Sequence, residues 1–164
     1  MVRILIVEHK KGELKHLRKP FESAGCSATN VTVTFLKDVQ SALLNAEYDL
    51  ILSDFRTPHF TGLELLQFLQ SQPISTPVVF LSDGGENTKA GALSGQGALG
   101  IVPRTKAHIP DLPTTVLHLL YDSRFQRKET ALQAHVAESE RRYRMLFERA
   151  REGGCRFRRN RSLA

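Results

Sequence analysis

The spacing of apolar residues along the chain changes in a regular way. Residues 2–7 read Val-Arg-Ile-Leu-Ile-Val, a mostly β-branched run without alternation. Such a run predicts a strand buried on both faces. Residues 13–24 then carry Leu14, Leu17 and Phe21 at helical spacing, and Gly25 ends that helix. Residues 29–33 predict a second, weaker strand. Asp38 is placed to cap a helix with Val39, Ala42 and Leu43 on one side. Residues 49–53 predict a third strand, and Leu63, Leu65, Leu66, Phe68 and Leu69 build a helix that stops before Pro73. Residues 77–81 predict a fourth strand, with Pro77 at its start, where no ladder donor is lost. A helix over 86–94 contains Gly91, which costs about 1 kcal/mol relative to alanine, so this helix is expected to be labile. Residues 99–102 form a short fifth strand, and residues 112–121 a helix with Leu112, Val116, Leu119 and Leu120 on one face.

Strands and helices therefore alternate five times. That alternation predicts an α/β fold, a doubly wound five-stranded parallel sheet with helices on both faces. Right-handed crossovers and a switch in strand order put a crevice above the first and third strands. Glu8, His9 and Asp54 end those strands, Ser82 ends the fourth, and Arg104 follows the fifth. One rim thus receives two acids, an imidazole, a hydroxyl and a guanidinium. Asp54 stands out because it closes a buried run and precedes a loop holding Pro58 and Gly62. A carboxylate so placed is a candidate nucleophile or metal ligand.

Charge divides the chain. Residues 1–122 hold 11 Lys and Arg against 12 Asp and Glu, whereas residues 123–164 hold 12 against 5. The net +6 of the chain therefore belongs to its last quarter, and the boundary near residue 122 separates two regions. No apolar run approaches the roughly 20 residues of a membrane span, and residues 1–7 enter a strand directly, so neither an anchor nor a secretory leader is expected. Cys26 and Cys155 form no metal or disulfide pattern, which fits a reducing, cytoplasmic setting. Gly95-Gln96-Gly97-Ala98-Leu99-Gly100 matches a dinucleotide fingerprint by letter only, since it precedes a strand instead of opening a helix.

These residues together resemble the receiver domain of two-component response regulators. The resemblance lies in Ile4-Leu5-Ile6-Val7-Glu8, in Asp49-Leu50-Ile51-Leu52-Ser53-Asp54, and in Pro58 with Gly62-Leu63-Glu64-Leu65. It continues through residues 77–82 and through Gly97-Ala98 toward Arg104, and covers residues 1–122. It implies a flavodoxin-like sheet of strand order 2-1-3-4-5 with a C-terminal helical extension. It also implies a phosphoryl acceptor, not an enzyme with a separate substrate: Asp54 would take the group from a histidine kinase or phosphotransfer protein.

By the same resemblance, magnesium would be held by Glu8, Asp54 and the backbone carbonyl of Arg56. His9 stands where a second acid is usual. Magnesium prefers hard oxygen donors and imidazole suits softer metals, so His9 is expected to weaken the site. Ser82 and Arg104 take the phosphoryl-sensing positions, with a planar guanidinium where an ammonium is usual. Ile101 takes the switch position, without the polar-tipped ring common there. These departures support an alternative reading, a degenerate pseudo-receiver that acts as a phosphorylation-independent interaction module.

Residues 123–152 are expected to form a basic linker or signalling helix, and residues 153–164 a disordered basic tail. The run from Glu138 to Glu148 resembles the linker and first turn that lead into a PAS domain, of which 153–164 would be a truncated start. Phe125, Leu132, Val136, Tyr143, Leu146 and Phe147 form an intermittent apolar seam, so a homodimer through this helix is a further expected partner. The arginines alone do not make a nucleic-acid site: no helix-turn-helix accompanies them, and nucleic acid is not expected as a partner.

Overall fold

Strand β1 (Arg3–Glu8) is paired on both sides, which is why its residues need no polar face. In this computed structural model the described residues are 1–12, 14–83, 93 and 95–158, with side chains through residue 152. After β1 come α1 (Lys15–Ser23), β2 (Ser27–Thr32), α2 (Leu36–Asn45), β3 (Leu50–Asp54), α3 (Gly62–Gln70), β4 (Val78–Ser82), β5 (Ala98–Pro103) and α4 (Leu112–Arg158). The five strands form one parallel sheet of order β2-β1-β3-β4-β5. This is the doubly wound arrangement that the alternation predicts. The helix expected over 86–94 falls largely outside the described residues.

Period-two alternation sends each strand's residues to two separate cores. Ile4, Ile6, Leu50, Leu52, Val79 and Leu81 pack with α1 and the start of α4, through Leu17, Phe21, Leu112, Val116 and Leu120. Leu5, Val7, Ile51, Val78 and Phe80 pack on the other face with Val39 of α2 and Leu65, Leu66 and Leu69 of α3. Both faces of the middle strands are thus apolar, and polar groups are left to the strand ends. The sheet switches direction of winding between β1 and β3, and that is where Glu8 and Asp54 emerge.

Helix caps set the loops that flank this end. Asp38 does not occupy the N-cap of α2. It sits three residues further in, and its Oδ2 accepts from the backbone N–H of Thr34 and of Phe35, both at 2.8 Å. Phe35, the N-cap residue, has no side-chain acceptor, so only one half of a capping box exists there. At α3 the box is complete: Thr61 Oγ1 accepts from Glu64 N–H at 3.3 Å, and Glu64 Oε2 accepts from Thr61 N–H at 2.7 Å. The chain divides into two units, Met1–Asp122 and Ser123–Ala164. Helix α4 runs to Arg158 with Gly153 and Gly154 inside it, past residue 153, where the disordered tail was expected to begin. Residues 159–164 of that tail lie outside the described residues. No helix among the described residues is long and apolar enough to cross a membrane.

Candidate functional site

Strand register builds the site. Val7 lies beside Ser53, Asp54 beside Leu81, and Ser82 beside Pro103. Pairing continues one step beyond the strands, with Phe55 N–H donating to Leu81 O at 2.9 Å and Arg104 N–H to Ser82 O at 2.8 Å. The first bond fixes the backbone just past Asp54, and the second carries Arg104 to the same rim. Asp54, Ser82 and Glu8 are buried polar residues at the C-terminal ends of their strands, and Ser53, next to Asp54, is buried with them.

The loop after Asp54 is held by its own bonds. Gly62 N–H donates to Phe55 O at 2.7 Å, and Thr57 N–H donates to Phe60 O at 3.1 Å. The Thr57 hydroxyl donates to Phe60 O at 2.6 Å and accepts from Phe60 N–H at 3.0 Å. Arg56 forms an isolated bridge with Thr61, so its carbonyl belongs to a closed turn beside the acid. Gly62 is required for packing: a Cβ there would lie 2.5 Å from Phe55 Cδ2 and 2.9 Å from Phe80 Cε1. The rings of Phe55 and Phe80 meet edge to face, with centroids 5.7 Å apart, directly beneath this loop.

Arg104 is brought onto Asp54. Its Nη1 donates to Asp54 Oδ2 at 3.1 Å, while Nε and Nη2 reach Asp83 Oδ1 at 3.1 and 3.0 Å. One guanidinium thus bridges two aspartates, which a single ammonium does less readily because it lacks the planar fork. The acid past β4 was missed by sequence reasoning. Its signal was present, since Asp83 immediately follows Ser82 at a strand end.

Glu8 is placed differently from its neighbour acid. Its Oε1 accepts from Gly12 N–H at 2.9 Å, and its Oε2 from Leu14 N–H at 3.0 Å. Asn30 Nδ2 and Thr32 Oγ1 add longer contacts at 3.4 and 3.5 Å. An ionised carboxylate has about four lone-pair sites, and four donors meet this one. Glu8 therefore clamps the loop between β1 and α1 and ties it to β2. Gly12 makes the clamp possible, because its φ of 84° turns its amide toward the carboxylate at a value that side-chain-bearing residues rarely adopt. Asn30 and Thr32 also escaped the sequence reading, since only sheet register puts β2 beside Glu8.

Of the remaining expected residues, His9 follows Glu8 at the end of β1 and is partly buried. Ser82 is buried at the end of β4. Ile101 pairs with Phe80 and packs against the core shared with α2 and α3. The described residues contain no cluster of three or more His, Cys, Asp or Glu side chains able to hold a metal ion.

Comparison with known proteins bears on the family and the fold. The family model described as the response regulator receiver domain matches residues 4–112. Among solved structures, the chain is similar to the receiver domain of the Francisella response regulator 1452, at 22% identity and a TM-score of 0.62, over 75% of this chain and 99% of that one. It is also similar to the signal receiver domain of a histidine kinase from Syntrophus aciditrophicus, at 26% identity and a TM-score of 0.60, over 74% and 92%. A third is the response regulator TrrA from Thermotoga maritima, solved with Mg2+ and BeF, at 19% identity and a TM-score of 0.59, over 73% and 99%. No curated protein matches the chain.

Proposed function

Because the chain belongs to the response regulator receiver family, we propose that it is the input module of a two-component pathway and that Asp54 receives the phosphoryl group. The observation that carries this reading is the ion pair between Asp54 and Arg104 at the winding switch of the sheet. An Asp54 oxygen attacks phosphorus of a phosphohistidine on a kinase or phosphotransfer protein. The O–P bond forms as the P–N bond breaks, the imidazole takes a proton, and Asp54 becomes an acyl phosphate. Arg104 supplies countercharge to the incoming group, and the Ser82 hydroxyl is the neighbouring donor from β4. Basic residues 123–152 act as the output helix. The run 138–148, with its likeness to a PAS lead-in, makes a sensor domain the kind of element served by that helix.

Magnesium is the ion that the resemblance implies, and TrrA was solved with it. The donor set around Asp54 does not fit it in this arrangement. The Glu8 carboxylate is filled by the Gly12 and Leu14 amides and the two β2 side chains. His9 offers nitrogen where a hard oxygen is needed, and Arg104 already lies on Asp54 Oδ2. This specific mismatch favours a second reading, in which the module keeps the receiver surface and signals by binding alone.

Acetyl phosphate, with and without magnesium, separates the two readings. The proposed acceptor gains one phosphoryl group by intact mass, and Asp54→Asn does not. An absent adduct that appears in His9→Asp would establish the interaction-module reading for the natural chain. An equal adduct in Asp54→Asn would remove Asp54 from the mechanism.

A further inference from the structure

Within Ser123–Ala164, helix α4 carries large apolar side chains that are exposed to solvent. Phe125, Leu132, Val136, Tyr143 and Leu146 are 49 to 75% exposed. Their order along the helix is not random. From Phe125 the steps 129, 132, 136, 139, 143, 146 and 150 alternate four and three residues, the repeat that keeps one face of a helix against a partner helix. Six of these eight positions are apolar: Phe125, Leu132, Val136, Tyr143, Leu146 and Ala150. Glu129 and Ser139 are the exceptions, and isolated polar residues in such a seam lower stability while fixing register.

The flanking charges identify the occupant. On one edge of the seam stand Lys128, His135, Arg142 and Arg149, and on the other Gln126, Gln133, Glu140 and Phe147. In a parallel pair each edge meets the opposite edge of the partner, which puts His135 against Glu140 and the Arg142 guanidinium beside the Phe147 ring. In an antiparallel pair like edges meet, and the basic edge would face itself. Within its own helix Arg142 pairs with Glu138, on the outer side of the seam, at 3.0 Å, and the contact with the Phe147 ring takes the place of that exposed bond. We propose that residues 125–150 bind a second copy of this chain as a parallel, in-register two-stranded coiled coil. This goes beyond the phosphoryl-acceptor reading and does not depend on it.

The test uses the full chain, with Asp54→Asn run alongside so that acceptor chemistry plays no part. Sedimentation equilibrium over a concentration series is expected to give twice the 18.4 kDa of one chain. The double variant Leu132→Asp, Val136→Asp is expected to halve that mass. Met145→Asp, an exposed apolar residue off the seam, is expected to leave it unchanged. Both seam residues are exposed, and unchanged near-ultraviolet spectra show that residues 1–122 remain folded. Orientation is read from Glu129→Cys, far from the midpoint of 125–150, in a Cys155→Ser background: in-register parallel helices bring the two copies together and are expected to form an interchain disulfide on mild oxidation, whereas antiparallel helices hold them about 25 Å apart. A monomer throughout, a dimer that survives the double variant, or a dimer without the crosslink at residue 129 would each overturn the proposal.

Discussion

Asp54 and Arg104 are joined by one ion pair of 3.1 Å, with the aspartate side chain 8% exposed and the arginine 19%. The other aspartate on the same guanidinium, Asp83, is 79% exposed. The two ends of the fork are therefore unequal: an exposed pair contributes about 0–1 kcal/mol, while a partly buried one leaves a costly charge if broken.

Arg104→Ala is expected to destabilise the fold by about 3 kcal/mol, because it removes one member of the largely buried Arg104–Asp54 ion pair. Arg104→Lys is expected to lose only about 1 kcal/mol, since charge remains and only the bridge to Asp83 goes. Urea unfolding midpoints measure both. Equal losses would show that the fork, not the charge on Asp54, is what stabilises the site.

Glu8→Gln tests whether this acid is a clamp. A glutamine keeps one carbonyl acceptor and turns an NH2 group toward one of the Gly12 and Leu14 amides. One charge-assisted bond is lost and two donors face each other, for a cost of roughly 2–3 kcal/mol without any metal present. Amide exchange at residues 12 and 14 is expected to accelerate. Unchanged exchange would assign Glu8 to the site beside Asp54 instead.

Gly62→Ala is expected to cost about 1–3 kcal/mol through overpacking, because its Cβ meets the Phe55 and Phe80 rings at 2.5 and 2.9 Å. The displaced ring is the residue next to Asp54. The aromatic signals of Phe55 are therefore expected to shift more than those of Phe21, which lies in the other core.

Acid sensitivity should track the helix caps. Backbone donation from Phe35, then from Thr34, holds the Asp38 carboxyl below its ordinary 3.8. Backbone and hydroxyl donation from Thr61 holds Glu64 below 4.5. A depressed folded-state value means that the stabilisation is complete above the unfolded value and is lost as pH falls through the folded one. Carboxyl NMR titration is expected to place both groups under those reference values. Asp38→Ala and Glu64→Ala are each expected to flatten the loss of stability on acidification below about pH 4.5.

Much of this architecture was legible in the residue pattern. Uninterrupted apolar runs such as Ile4 to Val7 and Leu50 to Leu52 demand a strand covered on both faces, and the intervening helices supply the covers. Asp54 was legible for the same reason, as the first ionisable group after a run that cannot hold one. The placement of Asp38 was less so. A cap at the N-cap position and one reaching back from the third helical residue look alike in sequence, because both put an acid near the start of an apolar stripe.

What the sequence by itself determined, then, is the alternation of elements and the polar residues delivered to the strand ends, since hydrophobic period and strand length are local properties. Where those residues point was decided only by the tertiary structure. Glu8 turns into the loop that Gly12 opens toward it, and Arg104 crosses from the end of β5 to Asp54 on β3. Both depend on strand register and on competition among donors far apart in the chain. The polar end of this sheet accordingly holds an arginine-bridged pair of aspartates and a separate carboxylate clamp.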